Sequence, residues 1–120
     1  MKIAIVGSRN IKADIPEWAI PEGVTKIYSG AARGIDTAAR RYARKHNILI
    51  TEILPEYDLY GIIAPLKIND IIIGKSDEVF IFWDGKSSGS TYVIKKCIEQ
   101  GKPYHLFRYI ENQNTFNEIT

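Results

Sequence analysis

A chain of 120 residues is long enough for one domain, and folding at this length buries roughly two thirds of the surface that the unfolded chain exposes. Apolar residues make up 45% and charged residues 25%, with 7 Tyr, 4 Phe and 2 Trp, a composition that excludes a disordered or low-complexity chain. The net charge of +2 is spread evenly, 9 basic and 7 acidic residues in the first sixty and 7 of each in the rest, which argues against a protein whose affinity rests on neutralising many duplex phosphates.

Lys2 to Val6 is a β-rich run that breaks at Gly7-Ser8, so it reads as a buried strand entering a tight loop. With no small-residue cleavage site behind it, it does not read as a signal peptide, and a cytoplasmic protein is expected. Apolar runs such as Val79 to Trp83 are far shorter than the roughly 20 residues of a membrane span, so no membrane partner is expected. Pro16 and Pro21 flank a weak helical stretch at Glu17 to Ile20, and a second strand follows at Lys26 to Ser29.

Between Gly34 and Asn47, Ile35, Ala38, Ala39, Tyr42, Ala43 and His46 recur at helical spacing, with Arg40, Arg41, Arg44 and Lys45 on the opposite face. Ile48 to Ile53 is a third strand, and Tyr60 to Lys75 a long helix that starts properly after Pro65. Asp77 to Trp83 is a fourth strand, Gly89 to Gln100 a helix closed by Gly101, and Pro103 to Phe107 a fifth strand. Residues 109–120 read as a polar tail or a short helix after a domain spanning 1–108. Strands alternating with helices imply right-handed β-α-β units, hence a Rossmann-like three-layer α/β domain with a mainly parallel sheet of about five strands.

In such sheets ligands bind beyond the C-terminal strand ends. Three loops there attract notice. In Trp83-Asp84-Gly85-Lys86-Ser87-Ser88-Gly89-Ser90-Thr91, amides and hydroxyls suit a phosphate, although the Walker A spacing is absent; the plain alternative is that Ser88 or Ser90 caps the helix. In Ser29-Gly30-Ala31-Ala32-Arg33-Gly34-Ile35-Asp36, Gly30 permits a sharp exit, Gly34 a close backbone approach, Arg33 offers a planar donor fork, and Asp36 either caps the helix or accepts from a ribose. Gly7, Ser8 and Arg9 add donors after the first strand.

Trp83 and Tyr60 either stack on a base or pack. The Arg40, Arg41 and Arg44 face either touches nucleic acid or is solvated, and the charge count favours solvation. His46 and His105 have no evident acidic or nucleophilic partner in the sequence, and Cys97, the single cysteine, reads as buried and inert. One thiol and two separated histidines argue against a zinc or iron-sulfur site, and no cofactor is expected.

Taken in order, Val6-Gly7-Ser8-Arg9, Ser29 to Asp36, Tyr60-Gly61, Lys67-Ile68-Asn69, Asp77-Glu78-Val79 and Phe82 to Ser90 resemble the motifs of the SLOG superfamily. That superfamily groups the Smf/DprA DNA-processing proteins with the LOG nucleotide phosphoribohydrolases. The likeness is to its small stand-alone YspA-like, or YAcAr, branch and covers residues 1 to about 108. The resemblance implies a pocket between the Gly30 loop and the Gly85 to Ser90 loop that holds a nucleotide or an NAD-derived molecule. Arg33 would meet phosphate, Ser87, Ser88 and Ser90 would cradle it, and Asp36 or Asn69 would read ribose, with Lys67 nearby.

The phosphoribohydrolase pattern has glutamates two or three residues beyond its glycine loop, where this chain has Tyr92 and Val93. Binding for sensing or sequestration is therefore expected ahead of N-glycosidic cleavage, which would need Asp84, Asp36 or Glu78 as a substitute. Single-stranded DNA binding, as in DprA, comes third. The branch also has Gly-Gly where this chain has Gly30-Ala31, and Arg-Asn where it has Ile68-Asn69. The Tyr60 to Gly74 helix is apolar nearly all round, so a homodimer or higher homo-oligomer is expected unless that helix is buried in its own core.

Overall fold

The computed structural model describes residues 1–119 and contains a six-stranded sheet in the order β3-β2-β1-β4-β5-β6. The strands are β1 (Lys2–Gly7), β2 (Lys26–Gly30), β3 (Leu49–Ile53), β4 (Glu78–Trp83), β5 (Tyr104–Ile110) and β6 (Thr115–Glu118). The helices are α1 (Ile35–Lys45), the single turn α2 (Tyr57–Tyr60), α3 (Ala64–Lys75) and α4 (Ser88–Gln100). All strand pairs are parallel except β5 with β6. The fold is a Rossmann-like three-layer α/β domain. None of the helices is long and apolar enough to cross a membrane among the described residues.

Because side chains alternate across a strand, β1 sends Ile3 and Ile5 to one face and Ala4 and Val6 to the other, and the two faces build two cores. The first joins Ile35, Ala38, Ala39 and Ala43 of α1 to the rings Phe80, Phe82 and Phe107. The irregular crossover between β1 and β2 completes this layer with Ile11, Ile15 and Ile20, and Trp18 meets Phe107 edge-on at 5.8 Å. The second core packs Ile72 and Ile73 of α3 and Val93 and Cys97 of α4 onto Tyr28, Val79 and Ile81.

Two helix ends follow from local chemistry. Beyond α1, Asn47 takes a left-handed conformation (φ 54°), and Gly101 does the same after α4 (φ 63°), with the Lys102 amide donating back to the Cys97 carbonyl at 2.9 Å.

The end of the chain differs from its expected tail or short helix. A 3₁₀ turn at Glu111–Gln113 and a left-handed Asn114 (φ 49°) reverse the chain, and β6 pairs antiparallel with β5. Phe116 drives this: it is buried against Phe82 at 5.1 Å, so one aromatic residue in a polar run carries the strand into the core. Thr120 lies outside the described residues.

Candidate functional site

The strand order reverses direction between β1 and β4, and this crevice opens at their C-terminal ends. Ser8 ties the edge together. Its amide donates to the Phe82 carbonyl (3.1 Å), its Oγ accepts from the Asp84 amide (3.0 Å), and its carbonyl accepts from the Ile35 amide at the head of α1 (3.2 Å). Gly34 makes that last contact possible. A Cβ there would sit 2.6 Å from the Arg9 carbonyl, and its φ of 74° with ψ of −124° suits only glycine.

The β4–α4 loop is organised around Asp84. Its Oδ1 accepts from the Lys86 and Ser87 amides, each at 2.8 Å, and its Oδ2 from the Ser87 hydroxyl at 2.9 Å. Partial burial alone would raise this carboxyl, but the amides of Ser87 and Lys86, the Ser87 hydroxyl and the Asn10 side chain outweigh it and bring the pKa down to about 2. The Ser87 carbonyl accepts from the Trp83 indole (3.1 Å) and from the Thr91 hydroxyl (3.0 Å). Gly85 (φ 86°) lies under the Arg108 guanidinium, where a Cβ would come within 2.7 Å of Nε. The loop so held presents Ser88, Gly89 and Ser90 at the start of α4, where the first amides have no preceding turn to donate to.

These residues form one wall of a cavity of about 730 Å³. A second wall comes from Val6 to Asn10, including Arg9, and a third from the β2–α1 loop, Gly30 to Arg33 with Asp36 behind it. Asp36 Oδ1 accepts from the Ser29 hydroxyl and Oδ2 from the Ala32 amide, both at 3.2 Å. Burial raises the Asp36 pKa, opposed by these two donors and by nearby Arg9. The remaining wall is largely apolar: Leu54, Pro55 and Tyr57 beyond β3, with Pro65, Leu66 and Ile68 of α3, and Asn69 adds one amide.

Gly7, Ser8, Arg9, Gly30, Ala31, Arg33, Asp36, Asn69 and the run Ser87 to Ser90 therefore come together around one cavity. Six expected site residues do not line it. Gly34 is approached closely by the Ser8 and Arg9 backbone, and Trp83, Asp84, Gly85 and Thr91 support the loop from behind. Lys67 turns away, its ammonium 5.8 Å from the centre of the Tyr60 ring.

Of the substitute carboxylates, only Asp36 reaches the cavity. Asp84 is committed to its loop, and Glu78 starts β4 at the opposite end of the sheet, 2.7 Å from His105. His46 likewise meets Glu17 at 2.7 Å, so both histidines have acidic neighbours that sequence distance concealed. Tyr92 donates to Asp70 (2.8 Å), and burial together with that bond pushes its pKa up to about 12. On α1, Arg40 grips Glu52 with two bonds (2.9 and 2.6 Å), Arg41 meets Asp14 (2.9 Å) and Lys45 meets Glu17 (2.6 Å).

The apolar wall escaped the sequence reading because Leu54, Leu66 and Ile68 look like ordinary core residues. Pro55 with Tyr57 in the loop after β3 was the one available signal. Compared with family models, curated proteins and solved structures, the chain finds no match.

Proposed function

We propose that this chain binds a phosphate-bearing, nucleotide-derived small molecule of the ADP-ribose, NAD-derived or cyclic-nucleotide kind, for sensing or sequestration, as a member of the YspA-like branch of the SLOG superfamily. One juxtaposition carries the reading. The start of α4 lines the same cavity as Arg9 and Arg33, neither of which forms an ion pair among the described residues, and the facing wall is apolar. An anion at one end and an uncharged ring system at the other match those walls. A cytoplasmic setting belongs to the same proposal.

A second reading, N-glycosidic cleavage of a nucleoside monophosphate, rests on Asp36, the only carboxyl lining the cavity among the described residues. DNA binding through the Arg40, Arg41 and Arg44 face of α1 is disfavoured because Arg40 and Arg41 are already paired, which leaves Arg44 as the one arginine of that face without an ion pair among the described residues. Self-association belongs to the proposal, through the exposed apolar residues between Leu54 and Ile71.

The test is a thermal-shift and calorimetric titration with AMP, ADP-ribose, NAD, cyclic ADP-ribose isomers and cyclic oligonucleotides, followed by chromatography of each mixture. A ligand at 100 times its Kd adds about 2.7 kcal/mol to stability. The expected result is a shift with the ligand recovered intact, lost in Arg33→Ala. No shift with any of these compounds overturns the proposal, and free base with ribose phosphate selects the second reading.

A further inference from the structure

Resting on that binding reading, we infer that residues 56–61 are a flap that closes over the ligand, and that Tyr57 is the side chain the flap lays against the ligand's ring. The segment runs between two fixed points. Pro55, its φ locked by its own ring, follows β3, and the buried Ala64 opens α3. Between them the chain is barely fastened. The Leu59 and Tyr60 amides donate to the Glu56 carbonyl (3.1 and 3.0 Å) and the Gly61 amide to the Tyr57 carbonyl, so the turn closes on itself. None of the side chains Glu56, Tyr57, Asp58 and Tyr60 forms a hydrogen bond or an ion pair among the described residues. No residue of α2 or of the 3₁₀ turn Gly61–Ile63 is buried. The Lys67 ammonium, 5.8 Å from the centre of the Tyr60 ring, is a weak tether.

Two observations give this loosely held turn a task. Leu54, Pro55 and Tyr57 line the cavity, yet Leu54 is 68% and Tyr57 56% exposed, so the apolar end of the site faces water on that side. A flat ring lying against Tyr57 takes both apolar surfaces out of water together. Gly61 supplies the joint. Its φ of 57° with ψ of −134° is open to glycine alone, although a Cβ there would meet nothing within 4 Å. Glycine therefore serves conformation and not space at the point where the turn leads into α3. A ring-bearing ligand gains the Tyr57 contact only in the closed form, and that differential affinity shifts the turn toward closure.

The experiment is amide hydrogen exchange of the full chain, alone, with saturating AMP or ADP-ribose whose binding is followed by calorimetry, and with inorganic pyrophosphate, an anion without a ring. Few buried contacts predict fast exchange at residues 56–61 in the free chain, and either nucleotide should slow it by about 10-fold or more. Pyrophosphate should not. Tyr57→Ala changes an exposed side chain and should weaken both nucleotides by roughly 10-fold and abolish the slowing, whereas Tyr57→Phe, which keeps the ring, should restore both. A nucleotide that binds without slowing exchange at 56–61, equal slowing by pyrophosphate, or full affinity in Tyr57→Ala overturns the inference and leaves the binding reading standing. Slowing that disappears on dilution of the protein overturns it by assigning the cover to a second copy. Failure of both nucleotides to bind removes the binding reading for this ligand class and the inference with it.

Discussion

Gly89, the second residue of α4, has nothing within 4 Å of the place where a Cβ would stand, yet it lines the cavity. A helical glycine with room for a methyl group gains stability when it becomes alanine, so Gly89→Ala should raise the stability of the free protein by about 0.5–1 kcal/mol. The same methyl projects where the proposed phosphate approaches the backbone, so the ligand-induced thermal shift should fall. Paired melts with and without ADP-ribose separate the two effects, and a stabilised protein with full affinity would remove the anion from the start of α4.

Asp84 and Asp36 should titrate with opposite signs. The Asp84 pKa is about 2, below the ordinary 3.8, so its stabilisation is complete above 3.8 and is lost as pH falls toward 2, where the unfolded chain takes up its proton first. At 1.36 kcal/mol per pKa unit, and allowing for solvent screening at a partly exposed loop, the loss amounts to about 1–2 kcal/mol. Asp36 is raised, so its contribution is complete below 3.8 and is lost as pH rises through its folded value. Urea unfolding from pH 2 to 6 should show the acid limb flattened in Asp84→Asn and the upper limb flattened in Asp36→Asn.

Among the elements, the central strands and the helices that follow them were legible because period-two apolar runs alternate with helical spacing and end at glycines. β6 was not: four residues with one buried side chain leave no periodicity to read, and only the tertiary edge-on contact of Phe116 with Phe82 reveals the strand. Phe116→Ala should therefore cost about 3 kcal/mol, read as a lower urea midpoint, and a chain ending at Ile110, the last residue of β5, should lose at least as much by exposing the β5 edge. The α3–α4 contact offers a control away from the cavity. Tyr92→Phe removes one hydrogen bond to Asp70 and should cost about 1 kcal/mol while leaving ligand affinity unchanged.

For the molecule as a whole, the sequence located the loops of the site but not their inner and outer faces. Asp84, Trp83 and Thr91 carry hydrogen-bonding groups in the same run as Ser88 and Ser90, and which of them supports the loop from behind depends on hydrogen bonds that close only in three dimensions. The segment after β3 shows the same ambiguity in apolar form. Ile72 and Ile73 are fully buried on the sheet, while Ile62 is 94% exposed and Leu54, Leu59 and Ile63, all within eight residues of it along the chain, are exposed as well. Leu54 is exposed and also lines the cavity, so a second copy of the chain that covered Leu54 together with Ile62 would border the site. Ile62→Asp sets a charge at the most exposed point of the patch and touches no core residue. Light scattering after size exclusion should show the wild type as a dimer or larger at micromolar concentration and the variant as a monomer of unchanged melting temperature. A monomeric wild type would remove the second copy, leaving Leu54, Pro55 and Tyr57 to close the apolar end of the cavity from within one chain.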